Sequence, residues 1–261
     1  MKKVAILGRG PSIKSLCSEV ASDCEHFILM NDHRATVKNE ALRSALKGKK
    51  NYIISNIQKT GFSKEVIESI NVEKCIINRL TPDYDLWNIH KEKQRKHSEG
   101  GHLDSNDTLP FLNEDEPYLF SWRGPPGRNT LGMRTSTGMP IEHMPDSCEE
   151  YLKPVYRDRI ICNCSFYATL YAIIQLKATE LTYFGVDFYN HLNIKKKWFI
   201  DSPKYLSKEW RDLRLIYEGE HMKILWEKYL TEQFPNVSYK FYTNAINFKT
   251  SKKNIIINYV K

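Results

Sequence analysis

The chain has 261 residues and a mass of 30.6 kDa, with 41% hydrophobic and 27% charged residues. This is enough for one α/β domain with an elaborated lid, and too little for three ordinary domains. A mean hydropathy of -0.53 and the absence of a long apolar run exclude a membrane-spanning helix and predict a soluble protein. The 39 Lys and Arg outnumber the 31 Asp and Glu, and the net charge of +8 favours an anionic partner such as a nucleotide, a phosphorylated glycan or DNA.

The amino terminus and the cysteines predict a cytoplasmic protein. Lys2 and Lys3 are basic, but the apolar stretch Val4–Leu7 is too short for the hydrophobic region of a signal peptide. The cysteines form no C-x-x-C pair and have no histidine at a zinc-binding spacing. Neither a disulfide framework nor a zinc site is therefore indicated, which fits a reducing compartment.

The amino-terminal part alternates short apolar runs with amphipathic stretches, as βαβ units do. The predicted strands are Val4–Leu7, Phe27–Met30, Tyr52–Ser55 and Cys75–Ile77, with helices near residues 12–20, 34–46 and 63–70. The predicted fold class is α/β, a single Rossmann-like domain with a mostly parallel sheet. Because such sheets bind ligands at the carboxyl ends of their strands, the residues that follow each run are the first candidates for a site.

Between about residues 80 and 155 the pattern stops and most of the prolines occur, so we interpret this segment as an inserted lid. The core pattern returns with a buried helix over Ser165–Leu176 and a strand over Leu181–Gly185. A mobile loop is predicted at about 190–206 and a long helix at about 207–233. Two strands, Ser238–Tyr242 and Ile255–Val260, complete one domain that spans residues 1–261.

The segment Gly8-Arg9-Gly10-Pro11-Ser12 follows the first strand and opens the first helix. Small residues at this place let backbone N–H groups approach a phosphate, and the helix dipole favours an anion. The third glycine of the dinucleotide fingerprint is replaced by Ile13, and the Lys-Ser/Thr of a P-loop is absent, which disfavours NAD binding and P-loop nucleotide hydrolysis. The alternative is a tight turn capped by Ser12.

Two asparagines follow the second and third strands. Asn31 and Asn56 would lie over the same edge of the sheet as the glycine loop. An amide offers a donor and an acceptor, which suits a pyrimidine edge, a ribose hydroxyl or a phosphate oxygen. Each asparagine alone would be an ordinary turn residue, but their position beside the glycine loop favours a nucleotide site.

These residues form part of an ordered pattern. Its further members are Ser165 at the start of a helix, the segment Gly185-Val186-Asp187-Phe188-Tyr189, and His221 downstream. The pattern resembles the bacterial sialyltransferases of glycosyltransferase family 42 over about residues 1–60 and 160–225. The resemblance implies one GT-A-like domain with a lid, an inverting and metal-independent transfer from a CMP-activated, sialic-acid-like donor to an acceptor hydroxyl, and no cofactor beyond that CMP-sugar.

Residue by residue, the resemblance assigns the CMP part of the donor to Gly10, Asn31, Asn56 and Ser165. Tyr189 would contact the leaving phosphate and His221 would be the general base. A base with a pKa near the working pH can contribute about 10²–10⁴-fold to a transfer step. The whole predicted donor site comprises Gly8, Arg9, Gly10, Pro11, Ser12, Asn31, Asn56, Ser165, Asp187 and Lys195.

The chain departs from the family pattern at two of these places. Arg9 stands where the family usually has Asn, and its guanidinium could meet a phosphate bidentately. A second lid tyrosine has no counterpart, and Lys195 would neutralise the phosphate instead, as a charge rather than a proton donor. These departures concern the donor sugar and the acceptor more than the class of reaction.

Alternatives remain open at the sequence level. Asp83-Tyr84-Asp85 matches a D-x-D metal motif, so Asp83 and Asp85, or Asp187, could hold Mg²⁺ in a pyrophosphoryl transferase, although Mg²⁺ is not expected. His191 rivals His221 as the base.

The acceptor is also open. A glycan is the expected acceptor, with Arg123, Arg128, Arg159 and His191 as the predicted contacts. The basic segment around Trp122 keeps two nucleic-acid alternatives: an enzyme that glycosylates hydroxylated bases of DNA, as viral enzymes do, or a non-catalytic nucleic-acid-binding module.

Overall fold

The structure is a computed structural model that describes residues 2–16, 18–55, 62–77, 134–158, 162–188 and 219–260. The described residues form an eight-stranded sheet in the order β5-β4-β3-β2-β1-β6-β7-β8, and every neighbouring pair is parallel. The predicted α/β class with a mostly parallel sheet is confirmed. The strands are β1 (Lys3–Leu7), β2 (His26–Met30), β3 (Lys50–Ser55), β4 (Val72–Ile77), β5 (Ile141–His143), β6 (Glu180–Phe184), β7 (Ser238–Thr243) and β8 (Ile255–Tyr259).

The central strands are apolar on both sides because both faces of the sheet are covered. One core packs against the helix Cys164–Ile174 and includes Tyr183, Trp226 and Phe241. A second core lies on the opposite face and includes Phe27 and Leu46. The described helices are α1 (Ser18–Ala21), α2 (Arg34–Lys38), α3 (Glu40–Leu46), α4 (Lys64–Ser69), α5 (Glu149–Arg157), α6 (Cys164–Ile174), α7 (Glu220–Ile224) and α8 (Thr231–Gln233).

Two predicted helices are divided in the structure. The segment predicted near residues 12–20 consists of a 3₁₀ helix (Pro11–Ser15) and the separate α1. The segment predicted at 34–46 is broken at Asn39, whose extended backbone ends α2 while its side chain accepts a hydrogen bond from the N–H of Leu42 and caps α3. Asparagine suits this place because it favours the cap position over the helix interior.

The carboxyl-terminal end of the predicted insertion contributes to the sheet. Ile141–His143 pairs in parallel with β4 as the edge strand β5, and α5 follows with Leu152 and Val155 fully buried in the first core. The sequence interpretation did not predict this strand, because three residues beside Pro140 and Pro145 carry too little pattern. Residues 78–133, which include most of the predicted insertion, lie outside the described residues. The lid therefore stays a prediction.

The long helix predicted at 207–233 is described from residue 219 onward. It consists of α7, a π-helical stretch (Leu225–Leu230) and α8 in direct succession. The strand order reverses between β1 and β6: the chain runs outward from β1 to β5 and then returns to β1's other side with β6. In open α/β sheets, ligands bind near such a switch point, at the carboxyl ends of the strands.

Candidate functional site

The described residues line a cleft at this switch point, at the carboxyl ends of β1, β2 and β6. It encloses about 460 Å³, including space open to solvent. Five residues that the sequence pattern predicted, drawn from four separate segments, line it together: Gly8, Arg9, Asn31, Ser165 and Asp187. The remaining lining residues are Met30, Asn163, Cys164, Gly185, Val186, Phe188 and Met222.

The loops after β1 and β6 are joined through their backbones. The N–H of Gly8 donates to the carbonyl of Phe184 at 2.7 Å, and the N–H of Gly10 donates to the carbonyl of Gly185 at 2.9 Å. A β-carbon on Gly8 would collide with the Gly185 carbonyl oxygen, and one on Gly10 would collide with the Asp187 carboxylate. These two glycines are therefore needed where the loops approach most closely.

Asp187 completes the junction of these loops. One carboxylate oxygen accepts the N–H of Ser12 at 3.0 Å. The other accepts the hydroxyl of Thr243 at 2.9 Å and the N–H of Asn244 at 3.2 Å. The side chain is almost fully buried, so this carboxylate holds together the loops that follow β1, β6 and β7.

The glycine loop does not form the phosphate cradle of backbone N–H groups that the sequence predicted. The amides of Gly8, Gly10, Ser12 and Ile13 already donate to partners within the protein. The hydroxyl of Ser12 accepts the N–H of Gly185 at 2.9 Å instead of capping a helix. Gly10, Pro11 and Ser12 are not among the residues that line the cleft, so this loop reaches the cleft through Gly8 and Arg9.

The opposite wall is the first turn of α6. Asn163 caps this helix: its side-chain oxygen accepts the N–H groups of Ser165 and Phe166 and the hydroxyl of Ser165. The neighbouring Cys164 donates its thiol to the carbonyl of Ile54 at 3.2 Å, which ties the turn to the end of β3. Ser165 thus lies at the cleft on a rigid element, as predicted.

Asn31 ends β2 with a left-handed backbone, φ 63°, a conformation that asparagine adopts more readily than most residues. Its N–H donates to the carbonyl of Ile54, and its side-chain oxygen accepts the hydroxyl of Ser55 at 3.3 Å. This geometry explains both the turn and the presentation of the amide at the cleft. The sequence interpretation offered these as alternatives, and in the structure they coexist.

A buried histidine supports the floor of this region. The Nε2 atom of His33 lies 3.1 Å from the Leu7 carbonyl oxygen, and its Nδ1 atom lies 3.0 Å from the Thr36 hydroxyl. Burial first, and the positive charge of Arg9 second, lower the pKa of His33 to about 4. The neutral ring therefore donates from Nε2 and accepts at Nδ1, which fixes the end of β1 against α2.

His221 lies in the first turn of α7, next to Met222, which lines the cleft. Its ring is partly buried, and burial lowers its pKa below the usual value. A histidine with a lowered pKa is neutral at pH 7 and can accept a proton. Met222 lines the cleft and His221 does not, so the structure places the predicted base beside a lining residue.

The other predicted site residues lie outside the described residues. They are Asn56, Tyr189 and Lys195 of the donor site, Arg123, Arg128, Arg159 and His191 of the acceptor site, and the metal candidates Asp83 and Asp85. Tyr189 directly follows Phe188, which lines the cleft. Their predicted roles remain predictions.

The described residues contain no group of three or more His, Cys, Asp or Glu side chains arranged to hold a metal ion. Asp187, the described residue considered as a Mg²⁺ ligand, has both oxygens engaged by protein donors. Among helices built from described residues, none combines the length and the apolar character needed to cross a bilayer.

No protein-family model matches the chain, and no curated protein matches it. Solved structures of similar fold include the sialyltransferase CstII from Campylobacter jejuni in complex with cytidine-5'-monophosphate, with 17% identity, a TM-score of 0.45 and coverage of 100% of this chain and 88% of that one. The same enzyme with CMP-3FNeuAc has 15% identity, a TM-score of 0.44 and coverage of 100% and 89%.

The sequence interpretation missed several lining residues. Asn163 could have been found, because an asparagine two residues before Ser165 is a favourable helix cap. Nothing in the sequence indicated that Met30 and Met222 line a cleft, because a methionine beside apolar residues is typical of the hydrophobic core. His33, which contacts the end of β1 without lining the cleft, was missed because nothing in the sequence shows that contact.

Proposed function

We propose that this protein is a glycosyltransferase that takes a sugar from a CMP-activated donor. The observation that supports it is the convergence of Gly8, Arg9, Asn31, Ser165 and Asp187 on one cleft at the switch point of a parallel sheet. These residues come from four distant segments, and their order along the chain is the one that resembles family 42. The cleft lining combines amide, hydroxyl and guanidinium groups with apolar side chains, which suits a nucleotide.

In the proposed reaction an acceptor hydroxyl attacks the anomeric carbon of the donor. The new C–O bond forms as the bond from that carbon to the CMP phosphate oxygen breaks, and the electron pair leaves with the phosphate. His221 takes the proton of the attacking hydroxyl, and Tyr189 donates a hydrogen bond to the leaving phosphate. A single displacement of this kind inverts the anomeric configuration. The acceptor is proposed to be a glycan.

Ligand-dependent stabilisation tests the nucleotide. With the full chain in EDTA, we expect CMP to raise the melting temperature more than UDP, GDP, ADP or NAD does, because a ligand that binds only the folded state stabilises it by about 2.7 kcal/mol at 100 times Kd. A shift with UDP alone, or one that requires Mg²⁺, would contradict the CMP assignment.

Turnover tests the base. His221→Ala should reduce transfer from a CMP-sugar by about 10²–10⁴-fold while CMP still stabilises the protein, because the base acts on the acceptor and not on the nucleotide. His143→Ala, in strand β5, is the matched control and should retain full turnover. Full activity of His221→Ala would remove this residue from the mechanism.

A further inference from the structure

The loop after β1 presents one cationic side chain to the cleft. Arg9 lies between Gly8 and Gly10, whose amides donate to β6 and to the loop after it. The backbone on both sides of Arg9 is therefore held by the sheet, and Arg9, which is partly buried, lines the cleft. A side chain supported in this way loses less entropy on binding than one on a free loop.

The charge of the described cleft lining comes from Arg9 and Asp187. The carboxylate of Asp187 is satisfied by three donors of the protein, two backbone N–H groups and the Thr243 hydroxyl. Its negative charge is thereby directed into the junction of the loops. The positive charge of Arg9 acts on a neighbouring residue: it is the second cause, behind burial, of the lowered pKa of His33.

We infer that Arg9 binds the phosphate of the nucleotide, in place of the backbone N–H cradle that this loop does not form. The inference rests on the proposed function and specifies how the same cleft distinguishes a nucleotide from its nucleoside. A guanidinium matches two phosphate oxygens with parallel N–H donors, which a lysine ammonium cannot do. The phosphate is then held by a charge on the β1 side of the cleft, while the Ser165 side contacts another part of the ligand.

The test compares CMP with cytidine by calorimetry on the full chain in EDTA. In the wild type, CMP should bind more tightly than cytidine. Arg9→Gln should reduce the affinity for CMP by about 10–100-fold, the range of a charge-assisted pair, and leave that for cytidine within about twofold. Arg9→Lys should give an intermediate loss for CMP, because it keeps the charge and loses the paired geometry.

Lys14→Gln is the matched control. It removes one positive charge from an exposed residue of the 3₁₀ helix that follows the loop and that does not line the cleft. It should leave both affinities unchanged. The inference would be overturned if Arg9→Gln weakened CMP and cytidine binding equally. It would also be overturned if Lys14→Gln weakened CMP binding as much as Arg9→Gln does.

Failure of the proposed function is distinguishable from failure of this inference. If neither CMP nor cytidine binds the wild type, the cytosine assignment fails, and the comparison is repeated with UMP, GMP and AMP and their nucleosides. If one of these nucleotides binds more tightly than its nucleoside, and Arg9→Gln removes that difference, the inference is still supported. If no nucleotide shows such a difference, Arg9 is not the phosphate contact.

Discussion

At the scale of single residues, the site is organised by side chains that bind other parts of the protein. Asp187 was predicted as a donor contact, and in the structure it also connects three loops through three hydrogen bonds. Two of the three donors are the backbone N–H groups of Ser12 and Asn244, which would lose their acceptor if Asp187 were replaced. The residue thus supports the cleft whether or not it contacts the ligand.

Asp187→Asn tests this connection. The asparagine side chain has an NH₂ group in place of one carboxylate oxygen. In one orientation this group would face the N–H of Ser12, and in the other it would face the Thr243 hydroxyl and the N–H of Asn244. We therefore expect the free energy of unfolding to fall by about 2–3 kcal/mol. Urea denaturation measures it. Asp23→Asn is the control, because Asp23 is exposed and its pair with Lys3 contributes little. Equal, small effects in both variants would show that the buried carboxylate is not structural.

His33 predicts a pH dependence of stability. The pKa of His33 is about 4 in the folded protein and about 6.5, the ordinary value for histidine, in the unfolded chain, so between these pH values the unfolded chain binds more protons. Its full contribution to stability is present above pH 6.5 and is lost as the pH falls toward 4, by up to about 3 kcal/mol. Urea denaturation across this window should show a steeper loss in the wild type than in His33→Gln. Parallel pH dependences would contradict the assignment.

At the scale of elements, helix ends decide what reaches the cleft. Asn163 and Asn39 both cap helices, but α6 begins at the cleft and α3 begins on the opposite side of the sheet. In the segment after His221, the π-helical stretch buries Leu225, Trp226, Tyr229 and Leu230. Single π-helical turns occur frequently at functional sites.

The two caps give a matched pair of variants. Asn163→Ala and Asn39→Ala should each lower the free energy of unfolding by about 1 kcal/mol, since each removes a side-chain acceptor from a helix start. Only Asn163→Ala should also weaken CMP binding, because it releases the hydroxyl and N–H of Ser165. Calorimetry and urea denaturation separate the two effects. Equal CMP affinities in the two variants would exclude a role of the α6 cap in the site.

At the scale of the whole molecule, one sheet is shared by two cores. Leu230 is fully buried in the core on one face, and Leu46 is fully buried in the core on the other. Because the strands between them contribute side chains to both faces, neither core can be lost while the sheet persists. The described part of the chain should therefore unfold cooperatively.

Leu46→Ala and Leu230→Ala test this cooperativity. Each should cost about 2–5 kcal/mol, the range for a buried leucine truncated to alanine. Each should also shift one common transition, followed by far-UV circular dichroism and by hydrogen exchange of amides in β1 and β6. Two separate transitions in either variant would show that the faces of the sheet unfold independently.

Much of the architecture was predictable from local pattern. The strands that became β1 to β4 and β6 to β8 were predicted within a few residues. Strands such as β1, β2 and β6 are buried on both faces and form short apolar runs bounded by polar turns, and β7 alternates buried and partly buried residues. β5 was not predictable, since a three-residue edge strand carries almost no periodicity. The breaks at Leu16 and Asn39 were not predicted either, because a continuous amphipathic pattern does not reveal where the backbone turns.

The sequence by itself determined the class of fold and five of the twelve residues that line the cleft. Four of these five follow apolar runs, whose carboxyl ends meet at one edge of a parallel sheet. Only the tertiary structure decided what each of them does there. The amides of Gly8 and Gly10 donate to β6 and its loop, and Asp187 accepts from Ser12 and from the end of β7. Arg9 is the charged residue of the glycine loop that lines the cleft. Hydrogen-bond donors and acceptors are consumed by whichever partner is nearest in space, and distance in space is not written in local sequence.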